Sequence, residues 1–261
     1  MQIRGYSARD ELKLLASAVA APFLSWRNLD RWQDPILLFD THVHVSNIGS
    51  FFLRKRTDDL YHVLPQRELA LISAMRAHLR PGDFFVDAGA NIGIYTVLAS
   101  RLVGSSGRVL AIEMMPDTAA ILRRHMECND CGNARMVQLA LADLAGDAVT
   151  ARVSPGKHGQ ASIIRADYDD KVSEITVQST TLDTLLDDGA PIRLIKMDLE
   201  GAEERAMQGA ADVLNRTHAL IFEDWTSAAE ASSSVPRILQ TVGFQLRSLD
   251  ARNWIAFRES A

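Results

Sequence analysis

The chain has 261 residues, 47% hydrophobic and 23% charged, enough for one buried core and a small appendage. Its formal charge of -5 and a pI near 5.8 exclude a general electrostatic nucleic-acid binder, because no surplus of Lys and Arg exists to displace counterions. The two cysteines, in ECNDCG at Cys128 and Cys131, have no second pair and lie at a helix end, which reads as two free thiols in a reducing compartment.

Residues 1–65 are irregular and read as a cap or lid. Leu14 to Leu24 is apolar like a signal-peptide core, but Asp10 and Glu11 precede it and Pro22 interrupts it, so a short amphipathic helix is expected. The run is far short of the ~20 apolar residues of a membrane span, and the expectation is a cytoplasmic protein, with a peripheral membrane contact through this helix left open. Strand-like runs follow at ILLFD, THVHVS and FFLRKR. His42 and His44 share one side of such a strand without further metal ligands, and Arg54, Lys55 and Arg56 read as a solvated strand end or an anion contact. Trp26, Trp32, Phe51 and Phe52 fit core packing or a homodimer face.

From Gln66 the pattern becomes regular, and residues 66–261 are taken as the main domain. Leu69, Ile72, Met75 and Leu79 share a helix face, and Arg80-Pro81-Gly82-Asp83 stops that helix. FFVDAGANIGIYTVLAS, from Phe84 to Ser100, then runs an apolar strand into an acid, a Gly-x-x-x-Gly turn and an apolar helix, the architecture of a nucleotide-type cofactor site. Gly89 and Gly93 remove side chains where backbone must approach a ligand, and Asn91 tolerates a left-handed turn. A dinucleotide fingerprint would need glycines where Asn91 and Ile94 stand, so the turn favours a ligand without a diphosphate, such as S-adenosylmethionine, over a nicotinamide or flavin nucleotide.

A second strand, RVLAIE, ends in Glu113, placed to accept ribose hydroxyls, with Met114 beside it and a helix from about Asp117 to Asn129 that Asp117 can cap. RMVQLA is the third strand, and the residues after it, Ala142 and Asp143, lie where adenine would sit. Between Asp147 and Ser179 the runs AVTARV, ASII and EITVQS form a small β insertion over the site. A short helix at Thr181 to Leu186, strand RLIKMD, a helix from Gly201 to Leu214, strand HALIFED, a helix near Val235 to Thr241 and strands FQLRSL and WIAFR complete the chain. Strand alternating with helix implies an α/β, doubly wound, seven-stranded sheet closed by a C-terminal β-hairpin.

In such a sheet ligands sit beyond the carboxyl ends of the strands, so strand-end acids are the candidates: Asp87, Glu113, Asp198, and Glu223 with Asp224. In IKMDLEGAE, Lys196 alternates to the other face, leaving Met197 inward and Asp198 at the tip, where it can act as base toward a substrate hydroxyl or bind a metal with Glu223 or Asp224. Glu200 and Glu203 fall in the first helical turn. His158, flanked by Gly156 and Gly159 in a loop of the insertion, is the second candidate base.

VDAGANIG, IEMMP, the ALAD segment, the TLD at Thr181 to Asp183 and IKMDLEGAE together resemble the FkbM family of S-adenosylmethionine-dependent methyltransferases, over roughly Phe84 to Trp225. The resemblance implies a class I, Rossmann-like methyltransferase fold and O-methylation of sugars, polyketides or related small molecules. Carried across by position, Asp87, Gly89, Asn91 and Gly93 hold the methionine part, with Ala90 and Thr96 in the same segment, and Glu113 holds the ribose. Asp198 and Glu200 border the substrate, and the extra acid and indole of IFEDW depart from the family pattern. The expected activity is O-methyl transfer to a small-molecule or glycosylated hydroxyl, with no resident metal. N-methylation of an amine and a non-catalytic binding protein are the rivals.

Overall fold

The computed structural model describes residues 2–27, 35–64, 66–154, 156, 161–164, 172–223 and 234–258. The N-terminal part comprises β1 (Ile3–Gly5), α1 (Ala8–Arg27), β2 (Thr41–Val45), β3 (Gly49–Leu53) and α2 (Asp59–His62). There follow α3 (Leu69–His78), β4 (Phe84–Ala88), α4 (Ile94–Val103), β5 (Arg108–Ile112), α5 (Pro116–Cys128), β6 (Ala134–Val137), β7 (Ala140–Leu141), β8 (Ala148–Val153) and β9 (Ser173–Thr180). The chain continues through α6 (Leu182–Leu185), β10 (Ile192–Met197), α7 (Glu203–Gln208), α8 (Ala211–Asn215), β11 (Thr217–Glu223), α9 (Ser234–Thr241), β12 (Gln245–Ser248) and β13 (Asn253–Phe257).

The main sheet has seven strands in the order β12-β13-β11-β10-β4-β5-β6. Strands β11, β10, β4, β5 and β6 pair in parallel, and β13 is antiparallel to both β11 and β12. The central strands are apolar on both faces because helices cover both; every residue of β4 is buried. Chain order reverses between β10 and β4, and this switch point puts the tips of β4, β5, β10 and β11 around one crevice.

The N-terminal strands form a separate antiparallel sheet, β1-β2-β3. Its inner residues Val43, Val45, Phe51 and Leu53 join one apolar cluster with Phe85, Val97 and Leu98 of the main domain. Thr41, Val43 and Val45 face inward, while His42 stacks edge-on against Phe52 and His44 meets the Ser50 hydroxyl at 3.2 Å. Helix α1 turns polar Asp10 and Ser17 toward the protein, accepting the His42 and Leu38 N–H groups, and leaves Leu12, Leu15 and Val19 exposed. No helix among the described residues is long and apolar enough to cross a membrane.

Several local expectations need correction. ILLFD forms no strand. In α3 Leu71 and Ala74 are buried with Ile72 and Met75, and Leu69 is exposed. Arg54 is no solvated cation: its guanidinium grips Asp59 through two bonds, 2.9 and 2.7 Å. RMVQLA is broken after Val137, and Ala140–Leu141 pairs instead with β9 of the insertion. Within the insertion ASII makes a single bridge, Ser162 to Arg152. The helix expected from Gly201 to Leu214 is two helices separated at Gly209, where a side chain would overlap the Ala142 carbonyl and Thr181. Asp117 does not cap α5, which starts at Pro116 with Met115 as the N-cap, the Met115 N–H going to Glu113.

Candidate functional site

Local backbone chemistry builds the first wall. Gly89, Asn91 and Gly93 all have positive φ, 78°, 49° and 89°, so the turn after β4 winds left-handed three times in five residues. The room a side chain would need at Gly89 is filled by the Asp198 carbonyl oxygen, and at Gly93 by Leu122. The glycines therefore serve first to let the β10 turn and α5 close on this loop. Asn91 takes the left-handed position expected of it, and its Oδ1 is buried without a hydrogen-bond partner.

Glu113 fastens the loop from the next strand. Its two carboxylate oxygens accept the Asn91 N–H at 2.9 Å and the Met115 N–H at 2.8 Å, and burial pushes its pKa up. Beneath the loop Asp87, fully buried, accepts the Thr96 hydroxyl at 2.6 Å.

Lys196 is the residue that sequence reasoning misplaced. Both faces of β10 are covered, so a lysine that leaves the Met197 side enters the site rather than solvent, and it lies on the same side as Asp198, two residues on. Only 3% exposed, its Nζ donates to the Gly89 carbonyl at 2.9 Å and lies 3.4 Å from Asp198 and 3.8 Å from Asp87. Burial disfavours the ammonium, but the carboxylates of Asp198, Asp87 and Glu68 outweigh it and hold the pKa above the usual lysine value.

Two cavities meet over this arrangement. The first is walled by Gly89, Asn91, Ile112, Glu113 and Met114, by Leu139 to Leu141, and by Ala161 and Ile163 of the insertion. The second is lined by polar groups from separate elements: Tyr61 and His62 of α2, Arg67 and Glu68 before α3, Lys196, Glu223 and Arg252. Asn91, Asp198, Glu200 and His62 border both. The Ser162 hydroxyl donates to the Glu200 carbonyl at 2.8 Å, tying the insertion to the turn after β10, and Glu203 accepts the Leu199 N–H at 2.7 Å to close that turn.

The structure thus brings Gly89, Ala90, Asn91, Gly93, Glu113, Met114, Asp198, Glu200 and Glu223 to the cavity walls. Asp87 and Thr96 stand behind the loop as its support. Ala142 is buried with its N–H on the Thr180 carbonyl, and Asp143 is held by Arg205 at 2.6 Å, which keeps its carboxyl below the usual range; neither lines either of these two cavities. The break after Val137 is the cause, since it turns Leu139 to Leu141 into the wall that Ala142 and Asp143 were expected to form. His158 and Asp224 lie outside the described residues. Tyr61, His62, Arg67, Glu68 and Arg252 were not anticipated; only the short spacing from Arg67-Glu68 to the helix start signalled a polar group near a helix N-terminus. No group of three His, Cys, Asp or Glu side chains suited to a metal occurs among the described residues.

Residues 87–249, more than half of the chain, match the Methyltransferase FkbM domain. The chain belongs to the FkbM methyltransferase family. It is a methyltransferase whose donor is S-adenosylmethionine, and its sheet is that of a class I enzyme. Methyltransferase sdnD of Sordaria araneosa is 24% identical over 209 residues, spanning 68% of this chain and 79% of that protein. Among solved structures, Methyltransferase FkbM from Methylobacillus flagellatus KT aligns at a TM-score of 0.45 with 19% identity, covering 77% of this chain and 56% of that one. Precorrin-6y C5,15-methyltransferase from Geobacter metallireducens GS-15 aligns at 0.44 with 13% identity, covering 72% and 88%.

This FkbM site suits the donor on its own geometry. An apolar slot next to an acid at the tip of β5 fits an adenosine, and the unpartnered Asn91 Oδ1 offers an acceptor to the ammonium of the amino-acid end.

Proposed function

We propose that this FkbM protein transfers the methyl group to a hydroxyl of a small-molecule or sugar-like acceptor. In this reading Ile112, Met114 and Leu139 to Leu141 sandwich the adenine, Glu113 receives the ribose hydroxyls, and Asn91 with the Gly89–Gly93 backbone holds the methionine end. S-adenosylmethionine supplies an electrophilic methyl carbon on a sulfonium. The observation that carries the reading is Asp198, which stands on the wall shared by the two cavities with its carboxylate fixed by Lys196. An acid there orients a hydroxyl in the second cavity toward the first, and the neighbouring carboxylates give its proton somewhere to go. A neutral amine already carries its nucleophilic lone pair and would need orientation more than a base. The polar lining of the second cavity, with three cationic side chains among carboxylates, suits a hydroxyl-rich acceptor better than an apolar one.

The test is a labelled-methyl assay against matched panels of monosaccharides, hydroxy acids and amines, with the product bond read by NMR. A methyl ether is expected, and Asp198→Asn should lower kcat about 10²-fold or more with adenosylhomocysteine affinity, measured by calorimetry, nearly unchanged. Label on the amines alone would establish N-methylation. Adenosylhomocysteine binding with no turnover on either panel would leave a binding protein.

A further inference from the structure

We infer that Glu223 is the group that takes the acceptor hydroxyl's proton, while Asp198, paired with Lys196, orients that hydroxyl. The inference rests on the O-methyl reading above and assigns its proton step.

The geometry begins with strand register. Met197 of β10 pairs with Phe222 of β11, so the next residues, Asp198 and Glu223, stand side by side at the two strand tips. Both line the second cavity, and Glu223 does not border the first. The two acids differ in their partners. Asp198 has the buried Lys196 ammonium at 3.4 Å, and that ammonium is itself anchored to the Gly89 carbonyl, so the Asp198 carboxylate is held in place at the wall. Among the described residues no cation forms an ion pair with Glu223. Its register partner on β13 is the neutral Asn253, and the groups facing it are Asp198 from β10, Glu68 and Arg67 from the segment entering α3, and Arg252 from the β12–β13 turn, with Lys196 and His62 across the cavity. Burial first, then the charges of Asp198 and Glu68, push its pKa to about 7, with Arg252 and Arg67 opposing. A carboxyl of that affinity is half ionised near neutrality, and a base is most effective when its pKa lies near the working pH.

The step balances within the ternary complex. The acceptor oxygen bonds to the methyl carbon as the carbon–sulfur bond breaks, its electron pair returning to sulfur, and the hydroxyl proton passes to the Glu223 carboxylate, to be lost to solvent after release.

The first test needs no acceptor. In protein labelled with ¹³C at the glutamate carboxyls and saturated with adenosylhomocysteine, one resonance should titrate with a midpoint near pH 7 and be missing from Glu223→Gln. A Glu223 carboxyl that titrates like an ordinary exposed glutamate overturns the inference. The second uses whichever hydroxyl compound of the panel yields the ether. The wild-type log(kcat/KM) should climb with pH and level off above about 7, the unprotonated base being required. Glu223→Gln should lose about 10²- to 10⁴-fold in kcat and flatten this limb, and Glu223→Asp should restore part of it. Asp198→Asn should keep the limb but move it to lower pH, because a charge that raises the Glu223 pKa has gone. A limb that survives in Glu223→Gln refutes the proton assignment and leaves O-methylation standing, whereas label found only on nitrogen refutes O-methylation itself.

Discussion

His125 shows how one side chain joins parts far apart in the chain. Wholly buried, it bonds the Ile92 carbonyl of the loop after β4 at 2.6 Å through Nδ1 and receives the Phe52 N–H of β3 at 2.8 Å on Nε2. That pattern fits the neutral ring with its proton on Nδ1, and burial lowers the pKa accordingly. The unfolded chain, titrating at about 6.5, therefore binds a proton that the folded protein refuses. Stability from this group is complete above that pH and is lost as pH falls below it. Urea midpoints at pH 8 and 5.5 should differ in wild type and differ less in His125→Gln. His125→Ala, which leaves the Phe52 donor and Ile92 acceptor unpaired, should cost about 2–4 kcal/mol at pH 8.

At the scale of elements, the turns after β4 and β10 act as one unit. The Asp198 carbonyl occupies the space beside Gly89, Lys196 donates to the Gly89 carbonyl, and the Asp198 N–H donates to the Ala88 carbonyl at 3.1 Å. Gly89→Ala must add a methyl against backbone at a φ of 78°, so neither element can yield without moving the other. The expected cost is about 2–4 kcal/mol of stability by thermal or urea unfolding, with adenosylhomocysteine affinity down at least about tenfold by calorimetry. The left-handed turn was legible in the glycine and asparagine spacing. What it is pressed against was not, since Asp198 is more than a hundred residues away in the chain.

For the molecule as a whole, the N-terminal sheet is part of the core, and the helix that follows it is part of the site. Phe51 is 1% exposed and packs edge-to-face on His125 at 5.1 Å, within the cluster that includes Phe85 and Leu98. Phe51→Ala should lower stability by about 3–5 kcal/mol in urea unfolding as a single transition, because the cavity opens between β3 and α5 rather than in a separate lid. Directly beyond that sheet, α2 delivers Tyr61 and His62 to the second cavity, and the Arg67 guanidinium stacks 3.4 Å above the Tyr61 ring. On the proposed reading, acceptor preference belongs to the segment whose pattern said least.

The sequence by itself determined the strand-loop-helix at Phe84 to Ser100, the acids at Glu113, Asp198 and Glu223, and the doubly wound order of the sheet. Those features are local: a period of two or three to four, a glycine where φ must be positive, an acid at a strand end. Only the tertiary structure decided that Lys196 is buried among carboxylates, that Asp143 pairs with Arg205 instead of facing the two cavities, and that α2 walls the second of them. Each of these depends on which distant chain segment covers a given face, and that is fixed by three-dimensional packing, on which local periodicity carries no information.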